Sequence, residues 1–272
     1  FTLRETAPLR PGDFFLRWAM NGAVPVKRAR LVVDMPESFT PVIVERGLVS
    51  PRRERLEGAR RFLEWSGDDQ EALPREPFAP DSTELQQLVY VGGPASWSAL
   101  ARWYDGLARS RYVLSPEVQR SADSVIAARR ARTRSDSVRA WHAWVSQDLR
   151  YLSVALGMGG YQPRTADDLL RTRAGDCKDK ATFFVVLLRR AGMEAMPVLL
   201  PLNGVVERRV PSVMQFNHAI AAVRDGDRWV YTDLTADALP YGQLPDSYEG
   251  GTGLRIEANG DGTLVTFPAV SS

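Results

Sequence analysis

Up to about Tyr90 the chain runs in short segments in which apolar and polar residues roughly alternate: "DFFLRWAM", "RARLVVDM", "PVIVERGLV", "RRFLEWSG" and "LQQLVYVG". Each is bounded by Gly, Pro, Asp or Asn. A period of two is that of a strand with one buried face, so the pattern predicts an antiparallel β module. The stretch "DDQEALPREPFAPDSTE", rich in Pro and acid, predicts a loop before the last of those strands. After "GGPAS" the period lengthens to 3.6. Trp97, Leu100, Tyr104 and Leu107 form one helical stripe; Val138, Trp141, Val145 and Leu149 form another behind the capping signal "TRSDS". The change of period places a domain boundary near residues 92–94. Residues 1–94 then form a β-rich module, a partial β-sandwich, and residues 95–272 a second, α+β domain. No internal repeat is present.

Composition narrows the function classes. The chain has 272 residues, 44% of them apolar, as in an ordinary globular protein. Its formal net charge of +2 comes from acids and bases interleaved along the sequence, which argues against nucleic acid as a partner. The "RRARTR" cluster at 129–134 reads as a solvated helix end. No apolar run approaches the roughly 18 residues of a membrane-spanning helix, and no signal-peptide pattern follows Phe1. Because Phe1 is not an initiator methionine, the chain reads as trimmed. One cysteine excludes an internal disulfide. One cysteine and two histidines in different settings predict neither a metal site nor a cofactor. "GMGGY" lacks the spacing and lysine of a phosphate loop.

The single cysteine, Cys177, lies in "RTRAGDCKDKATFF". Thr165 reads as the N-cap of a short helix ending by Gly175, and a second helix is predicted from about Cys177 to Ala191. Ala181, Phe184, Leu188 and Ala191 recur at helical spacing, so this helix is expected to pack deeply with Cys177 on its first turn. Free N–H groups at a helix start favour a thiolate. Lys178 and Lys180, two of the chain's three lysines, share that turn. Positive charge there opposes the helix dipole, so favouring a thiolate or holding Asp176 and Asp179 is the expected reason for "CKDK". Against this stands the ordinary fate of a lone cysteine, an inert small hydrophobe. What distinguishes the two is a base within reach of the sulfur.

His142 falls near the edge of the Val138 stripe and reads as structural. His218 lies in "FNHAIAAVRDGDRWVYTDLT", two β-type runs around Asp225-Gly226, a composition that favours a two-residue hairpin turn. With that turn, Arg224 faces Asp227 and His218 lies directly opposite Asp233, their Cβ atoms about 4.5–5.5 Å apart. A turn at Gly226-Asp227 would instead make them diagonal neighbours on one face. A three-residue loop without a bulge would put them on opposite faces. Cys177, His218 and Asp233 thus form a possible nucleophile, base and orienting acid, with the Cys177 N–H as one oxyanion donor.

"GDCKDKATFFVVLLRRAGMEAMPVLL", "FNHAIAAV" and "WVYTDLT" together resemble the transglutaminase-like, papain-like thiol enzymes, with Cys177, His218 and Asp233 on the family's catalytic positions. "WHAWVSQDLRYLSVALGMGGYQPRTADDLL" and "LPYGQLPDSYEGGTGLRIE" resemble the bacterial subgroup in which this core follows an uncharacterised β-rich module. The resemblance implies a papain-like α+β domain, an N-terminal module cut short here, and a periplasmic or cell-envelope setting. "DLT" stands where Asp-Pro-Thr is frequent. The second oxyanion or substrate-binding group is left open among Tyr151, Tyr161, Gln162, Lys178 and Asn217. The leading expectation is cysteine-dependent acyl transfer or amide hydrolysis on a peptide or protein. The alternatives are a non-catalytic peptide- or cell-wall-binding module, or a scaffold whose working part is the β region.

Overall fold

The alternating segments of the first ninety residues form strands β1 (Phe15–Ala19), β2 (Val26–Pro36), β3 (Val42–Arg46), β5 (Arg60–Gln70) and β6 (Leu88–Gly92), with an additional β4 (Arg53–Glu57). The computed structural model describes residues 10, 13–48, 50–73, 85–153 and 157–269. Two antiparallel sheets result, ordered β1-β6-β3 and β2-β5-β4. Their inward residues share one core: Ala29, Leu31 and Met35 of β2 and Leu63 and Trp65 of β5 meet Val89 and Val91 of β6. β4 was not expected, because "RERLE" has one apolar residue and every position is exposed. It is held as an edge strand by main-chain pairing to β5. Asp68 to Gln70 extend β5 into what the composition predicts as loop; residues 74–84 of that loop lie outside the described residues.

β6 reads as a continuous apolar run because both of its faces are covered. Val89 and Val91 enter the core just described, while Leu88 and Tyr90 pack with Val44 and Val210. Val210 belongs to the segment Glu207–Met214, which the chain lends to the first compact unit, Phe1–Ser96. Trp97–Val206 and Gln215–Ser272 form the second unit. Periodicity does not disclose such a loan, because a short excursion carries no repeat of its own.

The second unit holds helices α1 (Trp97–Ala108), α2 (Pro116–Ala128), α3 (Arg134–Ala143), α4 (Ala166–Thr172) and α5 (Cys177–Arg190). Thr133 and Asp136 form the capping box that starts α3, and a wider π turn, Trp144–Asp148, continues it. Val138, Trp141, Val145 and Leu149 are all buried, as their spacing predicts. A two-strand parallel pair, β7 (Arg150–Tyr151) and β8 (Ala174–Gly175), precedes α5. β9 (Ala195–Leu200), β10 (His218–Asp225), β11 (Arg228–Thr232), β12 (Thr252–Ile256) and β13 (Gly262–Thr266) form an antiparallel sheet ordered β11-β10-β9-β12-β13.

α5 is the central helix, buried at every position from Lys178 to Leu188. Phe183, Phe184, Val185, Leu187 and Leu188 share a cluster with Ala195, Ala221 and Val223 of the sheet. Each large side chain fully buried there contributes about 1.5–3 kcal/mol. The helix start is therefore fixed by its whole packed length.

Candidate active site

The first turn of α5 is built by charge. Asp176 is the N-cap and Asp179 its reciprocal partner: Asp179 N–H donates to Asp176 Oδ1 at 3.3 Å, and Asp176 N–H donates to Asp179 Oδ2 at 3.1 Å. Arg164 holds Asp179 from outside, through its own N–H at 2.8 Å and its Nε at 2.9 Å. Lys178 pairs with Asp176. Gly175, just before the cap, lies so close to this turn that a Cβ there would sit 2.9 Å from the Cβ of Asp179. "GDC" is thus a tight approach that only glycine permits.

Lys180 does neither of the things its sequence position suggests. It turns inward, 2% exposed, and its ammonium donates to the carbonyls of Ser146 at 3.1 Å and Leu234 at 3.3 Å. Burial lowers its pKa, with the charges of Asp237 and Asp233 opposing. Leu234 follows Asp233 directly, so this cation ties the end of β11 to the helix bearing Cys177.

The hairpin differs from the expected register. Asp225 pairs with Arg228 and Ala221 with Thr232, so the turn is Gly226-Asp227, with Gly226 at φ +59°. The expected direct opposition of His218 and Asp233 does not occur. They are offset by two residues, and because the side-chain period is two they still share a face. The turn slips because Gly226, not Asp225, takes the first left-handed position, which costs a glycine least.

That face brings the ring and the acid together. His218 Nε2–H donates to Asp233 Oδ2 at 2.9 Å, with His218 5% and Asp233 2% exposed. Asp233 Oδ1 accepts from the Thr235 N–H and hydroxyl, each at 2.8 Å. Oδ2 also accepts from the Tyr248 hydroxyl at 2.8 Å. Cys177, half-buried, lies close enough to the same ring to act on its charge. With Nε2 engaged by Asp233, Nδ1 is the ring nitrogen left for the thiol. Burial opposes the imidazolium, but the bonds and charges of Asp233 and Cys177 outweigh it and raise the His218 pKa to about 9. Burial likewise opposes ionised Asp233, yet His218 and the Thr235 donors hold its pKa below the usual value.

Of the remaining candidates, only Tyr151 is brought beside the thiol. Tyr151 pairs with Gly175 across β7 and β8 and is half exposed. Burial, then the neighbouring Cys177, raises its phenol pKa. Tyr161 packs edge-on against Trp103, ring centroids 5.4 Å apart. Gln162 Nε2 donates to the Leu107 carbonyl at 3.3 Å. Asn217 Oδ1 accepts from the Leu202 N–H at 2.7 Å, closing the sheet end before His218. Tyr248 and Thr235 were not singled out from the sequence, and Lys180 and Gly175 were read there in other roles; Tyr248 arrives from beyond the hairpin, and no local pattern marks it.

Residues 120–234 match the model of the transglutaminase-like superfamily. The chain carries a transglutaminase-like domain. A solved candidate protease from Parabacteroides distasonis matches 97% of this chain at 17% identity with a TM-score of 0.71, so the fold is shared across both units. The chain spans about half of that structure, 49% of its length. A candidate cysteine protease from Cytophaga hutchinsonii matches 82% of this chain and 74% of its own at 13% identity, TM-score 0.35. The periplasmic domain of TgpA from Pseudomonas aeruginosa matches 82% and 76% at 18% identity, TM-score 0.32. No curated protein matches the chain.

His142, the second histidine of the transglutaminase-like domain, is buried with its ring edge-on to Phe184 and Tyr241. Burial lowers its pKa to about 4, against the pull of Asp233. Its Nε2 has no hydrogen-bond partner among the described residues. It lines a cavity of about 300 Å³ with Arg139, Gln147 and Tyr241, and Cys177 is not among the lining residues. Among the described residues no cluster of His, Cys, Asp and Glu could hold a metal ion, and no helix is long and apolar enough to cross a membrane.

Proposed function

We propose that the transglutaminase-like domain is a cysteine-dependent enzyme that transfers or hydrolyses the acyl group of an amide in a peptide or protein substrate. The observation that carries this reading is the buried His218–Asp233 hydrogen bond, with Cys177 on the first turn of α5 close enough to act on the same imidazole. A cysteine kept for packing needs no imidazole, and an imidazole kept for packing needs no buried carboxylate.

The chemistry follows from the groups. The Cys177 sulfur, its proton held on His218 Nδ1, attacks the carbonyl carbon, and the C–N bond breaks as His218 gives that proton to the leaving amine. The thioester left on Cys177 then meets water or an amine. His218 takes a proton from that acceptor, the C–S bond breaks, and the thiol–imidazole pair is restored. Asp233 holds the ring with Nε2–H toward itself and stabilises its cation throughout. The Cys177 N–H, at the first position of α5, would serve as one oxyanion donor. A cell-envelope peptide or protein, the setting implied by the family resemblance, is the substrate class we assign.

The test is the alkylation of Cys177 by iodoacetamide across pH, in the unaltered protein and in His218→Ala. Faster reaction than a free thiol near pH 7, reduced to that of a free thiol by the substitution, is the expected result. Identical profiles for the two proteins would return the domain to a binding module.

A further inference from the structure

Asp233 is surrounded by more donors than orienting one imidazole requires. A carboxylate offers about four lone-pair positions, and here all are used: Thr235 takes two on Oδ1, and His218 and Tyr248 share Oδ2. Tyr248 is held rigidly. It closes a short 3-10 turn, Asp246–Tyr248, whose main chain is tied at both ends by bonds to Pro245 and from Gly251. The residue is 5% exposed, and its ring lies against Phe267 and against His218 itself, centroids 6.4 and 6.2 Å apart. A buried phenol satisfied anywhere else would serve packing equally well. This one is aimed at the oxygen that holds the imidazole.

We propose that Tyr248 is a positioning residue of the acyl-transfer site, fixing Asp233 as an anion and limiting how tightly that anion holds the His218 imidazolium. The proposal rests on the reading of Cys177, His218 and Asp233 as the reacting set. Two donors on one oxygen compete for its electron density, so the Tyr248 bond weakens the Asp233 bond to His218 and leaves His218 a stronger acid toward the leaving amine. Without the phenol, Asp233 becomes more basic and retains the imidazolium to higher pH. Burial and the charge of Asp233 push the phenol pKa strongly upward, so Tyr248 remains a donor throughout the working range. The other groups that act on this centre are fixed in kind. Cys177 faces His218 from the start of α5, Lys180 and His142 feel Asp233 from α5 and α3, and Tyr151 feels Asp233 and Cys177 from β7.

Two histidines in the chain make the experiment direct. Histidine-selective nitrogen-15 NMR on the full chain would follow His218 across pH in the unaltered protein, in Tyr248→Phe, and with 3-fluorotyrosine placed at position 248. Tyr248→Phe is expected to raise the His218 midpoint by about half to one unit. The more acidic fluorophenol, a stronger donor, should lower it. The alkaline limb of Cys177 alkylation should move with each. Midpoints unmoved by both changes overturn the proposal. If Tyr248→Phe does not fold, the fluorinated protein, which keeps the shape, decides alone. Alkylation that ignores His218→Ala would instead sink the acyl-transfer reading, a result separable from any shift at position 248.

Discussion

The two units treat charge in opposite ways. On the outer face of the β module, charged residues pair across neighbouring strands in water. Arg30 reaches Glu64 through two bonds of 3.0 and 2.9 Å, Arg60 reaches Asp34 at 2.7 Å, and Arg28 reaches Asp68 at 3.4 Å. Its best-covered charge is Glu207, 2% exposed, and that carboxylate is neutralised by Arg46 at 2.5 Å and Arg209 at 2.9 Å. In the transglutaminase-like unit Asp176, Lys178, Asp179, Lys180, His218 and Asp233 are all at most 5% exposed and gather around one half-buried thiol. Exposed pairs on a sheet add little, because water already solvates both partners. Buried ones are retained against a desolvation cost. That asymmetry is why the proposed chemistry is assigned to the second unit and not to the first.

The comparison is most severely tested at Asp233. Asp233→Asn is expected to leave the fold intact and lower turnover of an amide substrate by about 10⁴-fold, because the amide can favour the wrong ring tautomer and does not stabilise the imidazolium. Circular dichroism alongside the rate measurement checks both halves. An unchanged rate would make the buried cluster structural, like the pairs of the β module.

Lys180→Met should act on stability. It removes a buried ammonium from the carbonyls of Ser146 and Leu234, and two unsatisfied acceptors should cost about 1–3 kcal/mol in denaturant unfolding. If stability is unchanged while turnover falls, the lysine acts on the chemistry rather than on the tie between α5 and β11.

pH separates the two histidines. His218 has its pKa raised from 6.5 to about 9, so its contribution to stability is full below pH 6.5 and is lost as pH rises through about 9. Asp233, held below its ordinary 3.8, contributes above that value and loses its contribution as pH falls through the lowered pKa. His142 has the opposite sign to His218. Its pKa is lowered from 6.5 to about 4, so the unfolded chain binds the proton first and stability declines as pH falls between those values. His142→Phe, which keeps a ring against Phe184 and Tyr241, should flatten that acid limb and leave the alkaline limb in place. A flattened alkaline limb would mean the two sites are coupled.

The smallest effect is expected in the first unit. Glu64→Gln on the outer face of β5 should shift the melting temperature by no more than measurement scatter, and added salt should not change that result. A large shift would show that the β module also depends on its charges.

Much of the fold is written locally. Alternation marks β1, β2, β3, β5 and β6, because each buries a face at every second residue. Capping residues mark the starts of α3, α4 and α5, because a helix end must satisfy its free N–H groups where it stands. β4 lacks that imprint, since an exposed edge strand is held by its main chain alone, and so does Glu207–Met214, whose place depends on β6, more than a hundred residues earlier. The hairpin was legible as a hairpin, and the parity of its strands placed His218 and Asp233 on one face under either two-residue turn. Which turn forms was decided by the energy of left-handed backbone at Gly226. Cys177 announced itself by its position, but its nearness to His218, the inward turn of Lys180 and the approach of Tyr248 to Asp233 join residues far apart in the chain. The sequence determines local preferences through neighbours three or four residues away; these long-range contacts exist only once the packed α5 and its sheet bring them within hydrogen-bond reach.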